Sequence, residues 1–261
     1  MTVYLVGVGP GDAELMTIKA ARLLAQADAV VFDRLIGPEI LDYVSPRAER
    51  YDVGKTPGRP GPTQDDINCL LISLGSRLET VVRVKGGDPF IFGRGIEEAD
   101  ACVAAGLVVE VIPGVTSALA GPMAAGISVT ERGQSSGVCI LTAEQDGGSA
   151  PIDWGALAGS GLTLVILMGA RKAADLRDLL IASGRPADTP TAVVTNATRH
   201  NQTLWRGDLA DLGVEPVASP SVLVIGAVAR DRQVSRWLET LSDDCGRPAL
   251  VGRHDPHHAS Q

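Results

Sequence analysis

Over the first 112 residues, short apolar runs alternate with stretches whose apolar positions recur every three to four residues. Residues 3–8, 29–32, 80–84 and 108–112 are valine-rich runs, and they predict buried strands. Between them, residues 17–27 place Ile18, Ala21, Leu24 and Ala25 on one helical face. Residues 64–74 do the same with Ile67, Leu70, Leu71 and Leu74, and residues 96–105 predict a third helix. A parallel strand pair needs a crossover between its members, so this alternation predicts an α/β unit with a mainly parallel sheet.

Pro113-Gly114 ends the last of these strands. Residues 116–125 predict a helix of small residues, and the polar stretch 128–136 carries no period and serves as a connection. Strands are then expected at 138–141, 162–167, 192–195, 203–206 and 222–225, with helices at 172–183 and 230–241. The expected organisation is an N-terminal α/β domain over 1–113, a C-terminal α/β domain over 114–241 and an unstructured polar tail over 242–261.

Composition narrows the function classes. Hydrophobic residues make up 45% and aromatics only 3%, so the core must be built from Ala, Val, Leu and Ile. The formal net charge of −8 argues against nucleic acid or an anionic membrane as partner. No apolar run is long enough to span a bilayer, and the opening MTVYLVGVG lacks the basic start of a signal peptide, so the cytoplasm is the expected location. Cys69, Cys102, Cys139 and Cys245 show no CxxC spacing, which predicts free thiols and no metal site.

Two glycine-rich segments follow strands directly. Gly7-Val8-Gly9-Pro10-Gly11-Asp12 resembles a dinucleotide fingerprint but departs from it twice. Asp12 stands where a third glycine is needed, and Pro10 removes a backbone donor. Acids do lie about twenty residues on, at Asp28 and Asp33, so a nicotinamide-dependent oxidoreductase stays open as the alternative from another class. In the second segment, Lys85 to Gly95, Gly86 and Gly87 allow close approach to the main chain, and Asp88 can cap a turn or accept from a hydroxyl or amine. Phe90 and Phe92 offer apolar walls, and Arg94 opens a helix whose acids Glu97 and Glu98 suit its positive end. Taken alone, this is a ligand loop leading into a surface helix.

GVGPGD at 7–12, FDRL at 32–35, VGK at 53–55, VKGGDPFIFGRG at 84–95, PGVTSA at 113–118 and AGISVTER at 125–132 together resemble the motifs of the uroporphyrinogen-III C-methyltransferases, a branch of the tetrapyrrole methylase family. The resemblance continues more loosely through LVILMGAR at 164–171 and AVV at 192–194. It implies two α/β domains with an active-site cleft between them, usually in a homodimer. It also implies transfer of two methyl groups from S-adenosyl-L-methionine to uroporphyrinogen III, through precorrin-1 to precorrin-2, in siroheme and cobalamin synthesis, with S-adenosyl-L-homocysteine as product. A sister precorrin methyltransferase is the near alternative. By matching motif positions, the cofactor contacts fall at Pro10, Gly86, Gly87, Asp88, Ile91, Thr116, Ser117, Met168, Ala197 and Ala227. Asp33 and Lys55 match a proton acceptor and donor, and Arg94, Glu97 and Arg132 match substrate contacts. Arg34, with Arg59, joins these as a forked partner for the carboxylates of the macrocycle. Read on residue type alone, Asp33 is equally a turn residue and Lys55 a solvated lysine.

The chain also departs from the family. It has Thr130-Glu131-Arg132 where Thr-His-Arg is usual, and Ala143-Glu144 where Gly-His is common. Because the chain starts at the first strand of the methylase pattern, a multifunctional siroheme synthase is not expected.

Overall fold

The computed structural model describes residues 1–54, 61–144 and 151–230. Local chemistry sets the helix starts. The Thr17 side chain accepts from the Ala20 amide ahead of α1 (Ile18–Gln26). Thr63 and Asp66 form a reciprocal capping box at α2 (Gln64–Gly75). Helix α3 (Gly95–Ala104) follows the glycine-aspartate loop, and α4 (Ser117–Ala124) is capped by Thr116.

The first sheet contains β1 (Thr2–Gly7), β2 (Ala29–Phe32), β3 (Glu49–Asp52), β4 (Thr80–Lys85) and β5 (Val108–Ile112). Its order is β3-β2-β4-β1-β5, and every pair is parallel. All five carboxyl ends therefore lie on one edge, where ligands bind in open α/β sheets. Strand β3 has the sequence ERYD and no apolar run, so pattern alone does not predict it; it forms by pairing along β2.

The second sheet contains β6 (Val138–Thr142), β7 (Thr163–Leu167), β8 (Pro190–Thr195), β9 (Thr203–Asp208) and β10 (Ser221–Ile225). Its order is β6-β7-β10-β8-β9; only β6 and β7 are parallel. Helices α5 (Trp154–Ala158) and α6 (Ala173–Ala182) complete the described elements of this half. The helix expected over 230–241 and the tail over 242–261, with Cys245, lie outside the described residues.

Each sheet carries its own core. Alternation along β1 sends Leu5 to one face with Leu71, Leu74 and Cys102, and Val6 to the other with Leu24, Ile40 and Val82. The second sheet is likewise covered on two faces, by clusters built on Val165 and Val194 and on Leu164 and Leu223. Among the described cysteines, Cys69, Cys102 and Cys139 are free. Burial, with Glu98 nearby, pushes the Cys102 thiol up to about 11. No described helix is long and apolar enough to cross a membrane, and the described residues contain no cluster of metal-ligating side chains.

Candidate active site

Three loops of the first sheet meet backbone to backbone at Gly7, Gly87 and Gly114. A Cβ on Gly114 would stand 2.1 Å from the Gly87 carbonyl oxygen, and one on Gly7 would stand 2.6 Å from the Gly114 nitrogen. Only glycine permits this approach. The Gly87 amide donates to the Gly9 carbonyl at 2.7 Å, which joins the loop after β1 to the loop after β4. Asp88 adds a third tie. Its Oδ2 accepts from the Gly114 amide at 3.1 Å and its Oδ1 from the Phe90 amide at 2.8 Å.

Beside this junction lies a cavity of about 550 Å³. Asp33, Arg83, Lys85, Gly86 and Ile91 line it from the first half, with Ser117, Met168, Pro220 and Ser221 facing them. One wall is a buried ion cluster. Arg83 Nε donates to Glu98 Oε1 at 3.1 Å, Lys85 Nζ to Glu98 Oε2 at 2.9 Å, and Arg83 Nη2 to Asp33 Oδ2 at 3.4 Å. Gln64 Nε2 reaches Glu98 Oε1 at 3.4 Å from α2. Burial foremost, and Arg83 next, pull the Lys85 ammonium below its ordinary value, against the pull of Glu98.

A second cavity of about 480 Å³ opens alongside, sharing Phe92, Arg94 and Met168 with the first. Arg94 forks onto Glu97 at 2.9 and 2.6 Å, and this pairing holds the Glu97 carboxyl below the usual range. On the opposite lip Glu144 stands 3.6 Å from Arg171 and 3.5 Å from Lys172. Among the described residues, the non-glycine positions with left-handed backbone are Phe92, Arg94, Met168, Asn196 and Thr198. Phe92, Arg94 and Met168 line both cavities, and Asn196 lines a smaller pocket with Pro10, Ser117 and Ala197. Backbone strain of this kind gathers where a fold holds loops for a ligand.

The halves are joined at the same place. The Asp12 amide donates to Thr198 Oγ1 at 3.1 Å, and Arg199 Nη2 donates to the Leu35 carbonyl. The profile of the tetrapyrrole (corrin/porphyrin) methylases matches residues 2–213. The chain belongs to this family. This methylase is 42% identical over 243 residues to siroheme synthase 1 of Cronobacter sakazakii, and 41% identical over 239 residues to a siroheme synthase of Chromobacterium violaceum. It spans about half the length of those curated relatives, 92% of its own chain against 52% of the Cronobacter protein. Its fold matches a Thermus thermophilus uroporphyrin-III C-methyltransferase solved with S-adenosyl homocysteine, at 37% identity and a TM-score of 0.77, covering 87% of this chain and 98% of that one. A cobalt precorrin-4 methyltransferase matches at 26% identity and a TM-score of 0.77, covering 88% of this chain and 96% of that one.

The two-lobed α/β architecture expected from the sequence is the architecture of the methylase. Of the site residues read from the motifs, Asp33, Gly86, Ile91, Ser117, Met168 and Arg94 line the larger cavity, and Glu97 lines its neighbour. Gly87, Asp88 and Thr116 stand at the loop junction: a Cβ on Gly87 would face Ser117 N and Thr116 Cα at 3.6 and 3.8 Å. Pro10 and Ala197 line the small pocket between the halves.

Other positions fall elsewhere. Ala227 opens a helical turn after β10, at the end of that strand opposite Ser221. Ser221 lines the cavity, and six extended residues put Ala227 roughly 20 Å along from it. Ala227 lines none of the described cavities, whereas Pro220 and Ser221, at the other end of β10, line the larger one. Arg34 sits 3.6 Å from Asp52, and Arg132 is exposed in a turn closed by bonds between Glu131 and Ser135; neither lines a described cavity. Lys55 and Arg59 lie outside the described residues. Glu98, placed on a surface helix by its sequence context, is fully buried instead. Arg83 and Lys85 also escaped the motif reading. Their signal was present as charges inside the valine run TVVRVK, since a charge in a buried strand is almost always paired.

Proposed function

We propose that this methylase transfers methyl groups from S-adenosyl-L-methionine to carbons of uroporphyrinogen III, two per macrocycle, giving precorrin-2 and S-adenosyl-L-homocysteine. One observation carries the reading: the cavity at the carboxyl edge of the parallel sheet, in a fold shared along 98% of a uroporphyrin-III C-methyltransferase. The cavity of about 550 Å³ lies in the range of small-molecule sites, and side-chain-free backbone at Gly86 and Gly87 suits close approach of a nucleoside. The residues present thus fit the methyl donor, which supplies a sulfonium-activated methyl group when bound.

The protein's own contribution is alignment and proton removal. Gly86, Gly87, Asp88, Ile91, Thr116, Ser117 and Met168 would hold the donor, with Pro10 and Ala197 at its inner end. Arg94 and Glu97 would meet the macrocycle at the neighbouring cavity. Asp33 faces the cavity, where it can take the proton lost as the ring carbon regains its unsaturation. Alignment of a nucleophilic carbon with the methyl group is worth about 7–11 kcal/mol. The carboxylates of the substrate need local cations, and Arg94, Arg171 and Lys172 around the outer cavity supply them despite the net charge of −8.

Within this reading the chain is cytoplasmic, acts as a homodimer, and divides functionally into residues 1–113 and 114–241, in keeping with the separate cores of the two sheets. The deciding experiment is an anaerobic assay with uroporphyrinogen III and S-adenosyl-L-methionine, followed by mass and absorbance. A dimethylated product is expected; its absence from a preparation that binds S-adenosyl-L-homocysteine overturns the proposal.

A further inference from the structure

The ion cluster behind Asp33 is larger than a turn residue needs. Glu98 is 1% exposed and binds two cations at once, Arg83 at 4% and Lys85 at 7%. Asp33, at 26%, touches the same Arg83 guanidinium from the cavity side. Arg83 Nη1 also donates to the Val84 carbonyl at 2.9 Å, so its fork has one orientation. Four elements converge on this one guanidinium and its carboxylate: the exit of β2, strand β4, helix α3 and, through Gln64, helix α2.

Two simpler roles fail on physical grounds. As a source of stability the cluster is inefficient, because desolvation offsets most of the attraction within buried ion groups and apolar residues of equal volume often do better. As a proton relay it is blocked, because Arg83 stands between Asp33 and Glu98 and a guanidinium does not give up its proton. A polar cluster that neither stabilises cheaply nor conducts protons still does one thing well, which is to fix geometry.

Resting on the assignment of Asp33 as base, we propose that Glu98 is a positioning residue that locks the Arg83 guanidinium against Asp33 Oδ2 and so, with the Leu35 amide on Oδ1 at 3.0 Å, sets the orientation of that carboxylate in the cavity. Lys85 is the counterweight that holds the second oxygen of Glu98, leaving the first to Arg83. The proton taken by Asp33 leaves through its own exposed edge and never enters the cluster.

The test is a double-mutant cycle between Glu98→Gln and Asp33→Asn, read as kcat and KM for methyl transfer to uroporphyrinogen III, with S-adenosyl-L-homocysteine affinity measured on each protein. Glu98→Gln is expected to lower kcat tenfold or more, with KM and cofactor affinity within threefold of the parent. Glu98→Asp is expected to recover part of that loss. In the Asp33→Asn background, Glu98→Gln should cost less than threefold further, because its effect runs through Asp33. Multiplying losses, or a Glu98→Gln enzyme at the parent rate, overturn the inference and leave Asp33 as base. An Asp33→Asn enzyme at the parent rate removes the base assignment itself. Should Glu98→Gln not fold, Arg83→Lys takes its place in the same cycle, since a lysine keeps the charge but cannot fork between Glu98 and Asp33.

Discussion

Asp88 uses one oxygen for the Phe90 amide and the other for the Gly114 amide, so both faces of its carboxylate accept. Asp88→Asn puts an NH₂ donor against one of those two N–H donors. A lost hydrogen bond to a charged group costs about 1.5–3 kcal/mol. We expect a stability loss of that order and a weaker affinity for S-adenosyl-L-homocysteine, measured by denaturant unfolding and calorimetry. At the rim of β3, Glu49 is held down at about 2, first by hydrogen bonds from Arg77 and then by the Tyr51 hydroxyl. Its folded-state value lies below its ordinary one of 4.5, so its contribution is complete above about 4.5 and fades as pH falls towards 2. Carbon-detected NMR titration should find the Glu49 midpoint near 2, and Arg77→Met should return it towards 4.5. Single residues were the least legible scale in the sequence. Asp33 and Arg94 stood in recognisable strings, whereas Glu98 looked like an ordinary acid of a first helical turn. Its burial depends on Arg83 and Lys85 arriving from a strand 13 to 15 residues earlier.

At the scale of elements, the loop junction makes the sharpest claim. Gly114→Ala brings a Cβ to 2.1 Å from a backbone oxygen that has no side-chain freedom to retreat. Gly106 provides the comparison: it has a φ of +81° but nothing within 4 Å of the added carbon. Gly106→Ala should cost about 1–2 kcal/mol, the ordinary penalty of a left-handed residue. Gly114→Ala should cost about 3 kcal/mol or more and abolish cofactor binding, checked by thermal unfolding and a binding titration. Valine-rich runs and helical periods located most of the elements to within a residue or two. They missed β3, whose pairing and not its composition makes it a strand. Nor do they give the direction in which β10 runs, which decides the end of it that lines the cavity. In a parallel sheet the end of every strand faces the ligand edge, but β10 runs antiparallel to β7 and β8, so its start faces that edge.

For the whole molecule, loops of both sheets line the same cavity, so a ligand there must hold both halves. S-adenosyl-L-homocysteine at a hundred times its Kd should add about 2.7 kcal/mol to stability and raise Tm in a single shifted transition. NADH at the same concentration should leave Tm unchanged; a larger shift with NADH would favour the oxidoreductase alternative. The fold class was legible because alternating strands and helices leave few topologies open. The union of the halves was not, because it rests on tertiary contacts such as Thr198 to Asp12 and Arg199 to Leu35, between residues over 160 positions apart.

That long separation has a consequence for synthesis. Every strand and core residue of the first sheet precedes residue 113, so the ribosome has delivered a complete sheet before it makes β6. Translation at about 5–20 residues per second leaves roughly 5–20 seconds before Arg199 emerges. During that interval the nascent chain carries a finished scaffold whose ligand edge ends in unclasped loops, with Phe90 and Phe92 beside them. Chaperone contacts on stalled nascent chains should therefore concentrate on residues 8–12, 33–37 and 88–94, and disappear once the second sheet, with Thr198 and Arg199, has cleared the exit tunnel and folded.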